Sequence, residues 1–455
     1  MITPAQENAR MLAAILGSDE DDAAERLNRA VLVTAPPGGA DAAWAAEVAA
    51  LLARTVGVVT SPAEEAQLEL VIGEAAARTD LPRLHAAIDA GGATVDVRPV
   101  GRTGGPPPHP LLAAVAACPV AAATLRMLLD DPALPAVAYP LRLDFDQLGV
   151  PDAALATTVD LSDAVLVGAG AVAHGFVRAL RHLRAVGRLR IVDPKTVGSG
   201  NPNRCLYLGD EDVGRDKAVA LAERAAADFP ELAFEPLVQD FSAYCKSAGP
   251  PATAIVTVDS RRARRGIQKE LPGRVLDAST TDVRGVVVHS HRQPTQGACM
   301  ACIYRHVPDE HARERSIADG LGVDLAAVRE GFISAEAAGR IHRAHPQIDP
   351  AGIVGTAYDS LFKQLCAAQT LLTPEGRQVL APFAFVSSMA GALLVVELLR
   401  SNAGAAATNY WAVDPWKAPI GRRRLRRARD PHCEFCSKPE SDAAAEHLWG
   451  RNAAG

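Results

Sequence analysis

The chain has 455 residues, which is long enough for two or three domains that each bury a core. Its 47 lysines and arginines nearly balance 53 aspartates and glutamates, and the resulting net charge of −6 gives no indication of nucleic-acid binding. The N-terminus, MITPAQENARMLAAILGSDEDD, is polar and acidic early and does not resemble a secretory signal, so we expect a cytoplasmic protein.

Strand and helix patterns alternate up to about residue 150. Strands are indicated by NRAVLVTAP, VGVVTS, LELVIGEA and GATVDVRPVG, and helices by AAWAAEVAALLART and HPLLAAVAACPVAAATLRMLL. These patterns predict an α/β fold for this part of the chain.

A second α/β pattern begins near Asp160. AVLVGAG indicates a buried strand that enters a glycine turn, VAHGFVRALRHL has the apolar period of a helix, and RLRIVD is the next strand. A helix, DKAVALAERAAADF, and the strands FEPLVQ, TAIVTVDS, RVLDAS and GVVVHSH follow. The alternation predicts a Rossmann-like, doubly wound parallel sheet.

The glycine turn has the pattern of a nucleotide-binding loop. Residues 168–173, GAGAVA, fit G-x-G-x-x-A, in which Gly168 permits the tight turn and Gly170 lets a phosphate approach the backbone. Asp193 ends the next strand, where it is placed to accept a hydrogen bond from a ribose hydroxyl. The alternative is a strand–helix turn without a ligand.

Polar and charged residues after the following strand ends indicate a triphosphate. The stretch GSGNPNRC supplies the amide of Asn201 and the fork-shaped cation of Arg204, and DVGRDKA supplies the point charge of Lys217. Asp259 follows the strand in TAIVTVDS, and a carboxylate that faces a triphosphate is most useful as a Mg²⁺ ligand. Each residue alone could be a solvated surface charge, but their joint order favours an ATP site.

Four of the eight cysteines form two Cys-x-x-Cys pairs, Cys299 with Cys302 and Cys433 with Cys436. In a chain without a secretory signal this pattern indicates metal binding rather than disulfides. Together the pairs complete a tetrahedral Cys₄ site, which predicts a structural zinc. The alternative is four unrelated reduced thiols.

The most apolar run, APFAFVSSMAGALLVVELLR (residues 381–400), contains Ser387, Ser388 and Glu397. We interpret it as a buried core helix rather than a membrane span.

From about Asp160 to Cys436 the chain resembles the ThiF-type adenylyltransferases and ubiquitin-activating enzymes. GAGAVAHG is similar to the glycine loop of that family, VDPKTVGSGNPNRC to its Asp strand and Ser-Asn-Leu-x-Arg-Gln turn, DVGRDKA to its lysine segment, and TVDSRRARR to its Thr-Asp-Asn segment. The resemblance implies that Asn201, Arg204 and Lys217 hold the phosphates of ATP and that Asp259 holds Mg²⁺.

The sequence departs from the family pattern at several positions. Alanines at 171 and 173 replace usual glycines, Lys195 stands where a second aspartate is common, Cys205 replaces the glutamine and Ser260 replaces the asparagine. The phosphate and metal groups are all kept, but Lys195 and Cys205 are placed to alter the ATP pocket.

The resemblance implies ATP-dependent adenylation of a carboxylate, most often the C-terminus of a ubiquitin-like protein or peptide. Many relatives then transfer the acyl group to a cysteine, from which a conjugating enzyme can take it. Cys366 lies alone between the two zinc pairs and is our candidate for that thiol, with Cys205 second; a buried core cysteine is the alternative for Cys366. Cys118 and Cys245 are expected to be structural.

Members of this family work as two packed adenylation folds, and both are expected here in one chain. The first part repeats the order of elements of the second but has TAPPGGA in place of the glycine motif, and Gly73 where the second has Asp259. We therefore predict four regions. They are a degenerate adenylation-like domain (1–150), an ATP-binding adenylation domain (151–305), a helical excursion (306–380), and a core helix with a zinc-binding tail (381–455). An unrelated α/β domain is the alternative for the first region.

Other functions stay open at this point. One is adenylation of a peptide or sulfur-carrier protein without a thioester. Another is an NAD-dependent oxidoreductase, in which Asp193 would have a role but Arg204, Lys217 and Asp259 would have none together. A third is an inactive scaffold that keeps only the fold, and such a scaffold would not need those three residues. We expect neither nucleic acid nor membrane as a partner.

Overall fold

The computed structural model describes residues 3–101, 105–281, 283–305, 310–330, 332–356, 358, 361–362, 365, 383–404, 408–417 and 424–450.

Residues 4–144 form one sheet and its helices. Its elements are α1 (Pro4–Leu16), α2 (Glu20–Leu27), β1 (Ala30–Thr34), α3 (Gly39–Leu52), β2 (Gly57–Val59), β3 (Leu68–Ile72), β4 (Arg83–Asp89), β5 (Gly92–Asp96), α4 (Pro110–Leu129) and β6 (Leu141–Asp144). The described strands run in the order β2-β1-β3-β4-β5-β6; the first four are parallel, and β5 and β6 are antiparallel. Capping residues stabilise the first turns of two helices: Thr3 and Gln6 form a capping box on α1, and Asp19 caps α2.

Residues 152–292 form most of a second, larger sheet and its helices. The elements are α5 (Asp152–Leu155), β7 (Val159–Asp160), β8 (Ala164–Val167), α6 (Ala171–Leu180), β9 (Ala185–Val192), α7 (Lys217–Ala225), β10 (Leu232–Leu237), α8 (Phe241–Ala248), β11 (Thr253–Val256), α9 (Arg261–Lys269), β12 (Arg274–Thr280) and β13 (Val286–Arg292). The later elements are α10 (Met300–Ile303), α11 (Glu310–Leu321), α12 (Leu325–Glu330), α13 (Ala335–Ala344), α14 (Ala384–Asn402), β14 (Tyr410–Val413), β15 (Arg424–Leu425) and α15 (Pro439–Trp449).

The second sheet runs β10-β9-β8-β11-β12-β13-β14-β15 through the described strands, with β7 beside β9. The strands from β10 to β12 are parallel, as the sequence predicts. The sequence pattern did not show that β13, β14 and β15 continue the sheet in antiparallel directions. It also missed β4, whose sequence RLHAAID lacks an uninterrupted β-branched run.

The two sheets have similar strand orders. β1 has β2 on one side and the parallel strands β3 and β4 on the other, and β8 likewise lies between β9 and the parallel strands β11 and β12. Antiparallel strands extend both sheets, two in the first and three in the second, and the second sheet also has β10 beyond β9. The helix α4 lies between β5 and β6 in sequence, as α14 lies between β13 and β14. This agreement extends the similar order of elements seen in the sequence to the topology.

Apolar helices fill the space between the two sheets. α14 packs on α6 and on α4, and α4 packs on α3, so one hydrophobic core joins both halves of the chain. Among the described residues, α4 and α14 are long and apolar enough to cross a membrane, but 78% and 94% of their most apolar windows are buried inside the fold. The prediction of a buried core helix near residues 381–400 is confirmed.

Candidate ATP site and zinc site

Two strand ends meet at the glycine turn. Gly168 follows β8 with φ +94°, and a Cβ added there would lie 3.2 Å from the backbone nitrogen of Val258, just beyond β11. The hydroxyl of Thr257 lies 3.1 Å from the carbonyl oxygen of Val167 and 2.8 Å from that of Gly168, and its one proton bonds to these acceptors, which ties the two strand ends together. Gly170 precedes α6, and an added Cβ there would meet no described atom within 4 Å. The turn is therefore closed on its inner side and open above the start of α6, where a phosphate would bind.

Asp193 closes the turn from the neighbouring strand. Its Oδ2 accepts a hydrogen bond from the backbone N–H of Ala169 (2.7 Å), and its Oδ1 accepts one from the backbone N–H of Lys195 (2.8 Å). The residue is only 6% exposed. In the structure Asp193 thus holds the glycine loop in place, and its predicted bond to a ribose hydroxyl stays a prediction.

Lys217 lies at the start of α7, close to the carboxylates of Asp193 and Asp259 and to the ammonium of Lys195. Burial lowers the pKa of Lys217, and Asp193 counters this effect more strongly than Asp259 does. Lys195, the departure from the family pattern, places its Nζ 3.6 Å from Oδ1 of Asp259, which is 58% exposed. The structure thus brings together Asp193, Lys195, Lys217 and Asp259, with Asp259 at the solvent side.

Arg204 lies in the loop after β9, and its guanidinium contacts that loop and the N-terminal half. Its Nη1 donates to Oδ1 of Asn203 (2.9 Å) and lies 3.8 Å from a carboxylate oxygen of Glu7 in α1. The predicted phosphate ligand Asn201 uses its Oδ1 to accept the backbone N–H of Gly198 at 2.9 Å. In this structure Asn201 shapes the turn, and its predicted contact with phosphate is untested.

The N-terminal half contributes residues that the sequence did not single out. Arg54 donates hydrogen bonds to the carbonyl oxygens of Pro202, Leu206 and Leu208, and Asn8 bonds to Asn203. More than 140 residues separate these partners along the chain. No local pattern could have revealed them.

His174 lies on α6 behind the glycine loop and is fully buried. Its Nδ1 accepts the backbone N–H of Tyr207 (3.2 Å), which places the ring proton on Nε2. Burial, with smaller contributions from the cations of Lys217 and Arg54, lowers the pKa of His174 to about 3. The imidazole is therefore neutral near pH 7.

The four predicted zinc ligands come together. The Sγ atoms of Cys299 and Cys302 are 3.7 Å apart, those of Cys299 and Cys433 3.7 Å, and those of Cys302 and Cys436 3.4 Å. All four lie within 4.8 Å of one another. A tetrahedral ion with Zn–S bonds of about 2.3 Å needs sulfurs at about this separation. The backbone N–H of Asp430 also points at Sγ of Cys302 (3.5 Å), a contact typical of a thiolate that binds metal.

Other cysteines fit a structural role. Cys205 is 1% exposed, and burial raises its pKa, so little of it is thiolate near pH 7. Burial likewise raises the pKa of Cys118, and that of Cys245 to about 12. Cys366, the first candidate for a thioester, lies outside the described residues.

Two family models match this chain. Residues 146–435 match the model of the ThiF family, and residues 1–151 match that of the E1 N-terminal domain. The chain belongs to the ThiF family, and the resemblance stated from its motifs is confirmed. The predicted α/β fold is also confirmed, with a buried cysteine cluster able to bind zinc.

More distant similarities were also found. An uncharacterized protein, y4jF, of Sinorhizobium fredii (strain NBRC 101917 / NGR234) is 26% identical over 260 residues, which are 54% of this chain and 50% of that protein. The chain thus spans about half the length of the curated relative it matches.

Solved structures of E. coli MccB also match. MccB alone is 13% identical, with 63% of this chain and 67% of that chain covered and a TM-score of 0.39. MccB with ATP is 12% identical, with 62% and 67% covered and a TM-score of 0.39. Similarity this low establishes no function, and the family assignment rests on the family models.

Proposed function

We propose that this chain catalyses the ATP-dependent adenylation of a carboxylate. Membership of the ThiF family supports this activity. The observation that carries the proposal is the grouping of Lys217 with Asp193, Lys195 and Asp259 at the strand ends beside the glycine turn.

In the proposed reaction a carboxylate oxygen of the substrate attacks the α-phosphorus of ATP. A new P–O bond forms, the bond to the bridging oxygen breaks, and pyrophosphate leaves with the electron pair. Arg204 and Lys217 would bind the phosphates, with Asn201 beside them, while Gly168 and Gly170 shape the loop. Positioning and charge stabilisation carry such a step without a protein nucleophile.

Asp259 would hold Mg²⁺, since its carboxylate is exposed just after β11 and a carboxylate oxygen is a ligand that Mg²⁺ prefers. The ion would neutralise charge on the phosphates. The exposed carboxylate and the buried Asp193 thus have different proposed roles, one toward the metal and one toward the loop and ribose.

The substrate we propose is the C-terminus of a ubiquitin-like protein or of a peptide. The match of residues 1–151 to the E1 N-terminal domain supports the first of these. We further propose that the N-terminal half is the nucleotide-free counterpart of the second, because its sheet has a similar strand order without the glycine motif. A cytoplasmic location and transfer to a conjugating enzyme complete the proposal.

ATP–pyrophosphate exchange tests the activity. Arg204→Ala and Asp259→Ala should each lower exchange by ~10²-fold or more, because Arg204 would stabilise negative charge in the transition state and Asp259 would hold the Mg²⁺ that does so. Peptides and small proteins with a free C-terminal glycine serve as substrates, and amidated versions as negative controls.

A matched control is Arg188→Ala, an exposed arginine on β9 far from the turn, which should keep full exchange. Circular dichroism should show that all three variants are folded. Full exchange in Arg204→Ala or Asp259→Ala would refute the site.

A further inference from the structure

The loop that carries Arg204 (residues 201–208, here the Arg204 loop) is held by the N-terminal half of the chain. Arg54 follows α3, and its Nη1 donates to the carbonyl oxygens of Pro202 (2.6 Å) and Leu208 (2.9 Å). Its Nη2 donates to the carbonyl oxygen of Leu206 (2.7 Å). One guanidinium thus bridges three carbonyls of a single loop.

This contact needs an arginine. Burial lowers the pKa of Arg54, so the cation is kept in a site where desolvation works against it. The charge-assisted bonds to the carbonyls compensate for that desolvation. A lysine would keep the charge but lacks the planar fork that reaches several acceptors at once.

A second connection leads through the side chains of two asparagines to the guanidinium of Arg204. The Nδ2 of Asn8 donates to the backbone oxygen of Arg54 (2.7 Å), and Oδ1 of Asn8 accepts from Nδ2 of Asn203 (3.0 Å). Oδ1 of Asn203 in turn accepts from Nη1 of Arg204 (2.9 Å). Asn8 and Asn203 are 6% and 4% exposed, so water does not compete strongly for these bonds.

We propose that the N-terminal half positions Arg204 for the triphosphate through the Arg54 bridge and the Asn8–Asn203 connection. This proposal rests on the proposed function and adds a part for the half that lacks the nucleotide motif. Arg54, Asn8 and Asn203 act as positioning residues, since each reaches the phosphates only through the Arg204 loop. The ATP site is then complete only when both halves are packed together.

The test compares binding of MgATP and of AMP by calorimetry in the full chain. Arg54→Met removes the donors at similar volume, and we expect the Kd for MgATP to rise about tenfold or more. Arg54→Lys should behave similarly, and Asn8→Ala should have a smaller effect of the same kind. AMP lacks the outer phosphates, so its Kd should change little; a merely structural defect would weaken both ligands equally.

Arg29→Met is the matched control, because Arg29 also donates from the N-terminal half to a backbone carbonyl, that of Leu128 (2.8 Å), which lies outside the Arg204 loop. It should leave both dissociation constants unchanged. Hydrogen exchange in the absence of nucleotide should show faster exchange of the Arg204 loop in Arg54→Met and wild-type rates in Arg29→Met.

The negative results of these experiments distinguish the positioning role of Arg54 from the proposed function. If wild-type protein binds MgATP and Arg54→Met binds it equally well, the positioning role is wrong while the proposed function stands. Equal loss of MgATP and AMP would also overturn the positioning role, because it shows general damage. If wild-type protein binds no MgATP, the proposed function fails and this inference fails with it, whatever hydrogen exchange shows about the loop.

Discussion

At the scale of single residues, the two aspartates of the candidate site have different environments. Asp193 is buried and bonded to two backbone N–H groups, whereas Asp259 is 58% exposed beside Lys195. Two carboxylates that follow the strands on either side of β8 therefore have different surroundings, one bonded to the glycine loop and one facing solvent.

His174 predicts a pH dependence of stability. Its folded pKa of about 3 lies below the ordinary value of 6.5, so the unfolded chain binds the proton more readily. Stability from this residue is therefore present above pH 6.5 and is lost as the pH falls from there toward 3. Between pH 7 and 5.5 the loss attributable to His174 should be about 1 kcal/mol.

Urea denaturation of wild-type protein and His174→Asn at the two pH values measures this difference. The asparagine can still accept the backbone N–H of Tyr207 but does not titrate, so the variant should lose less stability on acidification. An equal loss in both proteins would contradict the assigned protonation of His174.

A further prediction at the scale of single residues concerns the cysteine that would carry the acyl group as a thioester. Cys205 is buried with a raised pKa, which leaves Cys366 as the better candidate thiol. Adenylate formation needs no thiol, so Cys366→Ala should keep pyrophosphate exchange and lose any covalent adduct. The adduct should be sensitive to added thiol, as a thioester is.

Non-reducing gels of protein incubated with ATP and substrate would show the adduct, and Cys245→Ala, which removes a buried cysteine with a raised pKa, is the control. An adduct that survives Cys366→Ala places the nucleophile elsewhere. No adduct in wild-type protein with an established substrate would mean direct use of the adenylate.

At the scale of elements, α6 and α14 cross very closely. A Cβ added to Gly391 would lie closer than 3 Å to backbone atoms of Gly175 and Phe176, and one added to Gly175 would lie 2.8 Å from the carbonyl oxygen of Ser387. Two facing glycines thus allow the backbones of the helix behind the glycine loop and the core helix to touch.

Gly391→Ala should therefore destabilise the fold by roughly 1–3 kcal/mol, because the helices must move apart. The control is Gly339→Ala in α13, where an added Cβ meets no described atom within 4 Å; there alanine should stabilise slightly through its helix propensity. Thermal melts would measure both variants. An unchanged melting temperature in Gly391→Ala would contradict the close crossing.

At the scale of the whole molecule, the tail is fastened to the second sheet. Cys299 and Cys302 follow β13, while Cys433 and Cys436 come from the tail. Further along, the indole N–H of Trp449 donates to the backbone oxygen of Leu271 at 2.9 Å. The cysteine cluster thus joins segments about 130 residues apart.

We expect one tightly bound Zn²⁺ per chain and a loss of stability when it is removed. Cys436→Ser should release the metal and lower the melting temperature without removing a group of the ATP site. His432→Ala is the control, since His432 is exposed next to the pair and is not needed in a complete Cys₄ set. Elemental analysis that finds no zinc in protein purified without chelator would refute the site.

By itself, the sequence determined the local part of this protein. The glycine motif, the strand that ends at Asp193, the two Cys-x-x-Cys pairs and the core helix could all be read because each depends on neighbouring residues and hydrophobic period. Arg204, Lys217 and Asp259 could be grouped because the carboxyl ends of parallel strands lie at one edge of a sheet.

Only the tertiary structure decided how the two halves combine. The antiparallel extension of both sheets, the glycine contact of α6 with α14, and the bonds of Arg54 and Asn8 to the Arg204 loop all join residues far apart in the chain. Such contacts depend on which surfaces meet when the cores pack, and no local pattern of side chains encodes that meeting. The sequence therefore predicted which charges form the candidate ATP site, and the fold showed that residues of the other half of the chain bond to the loop that carries one of them.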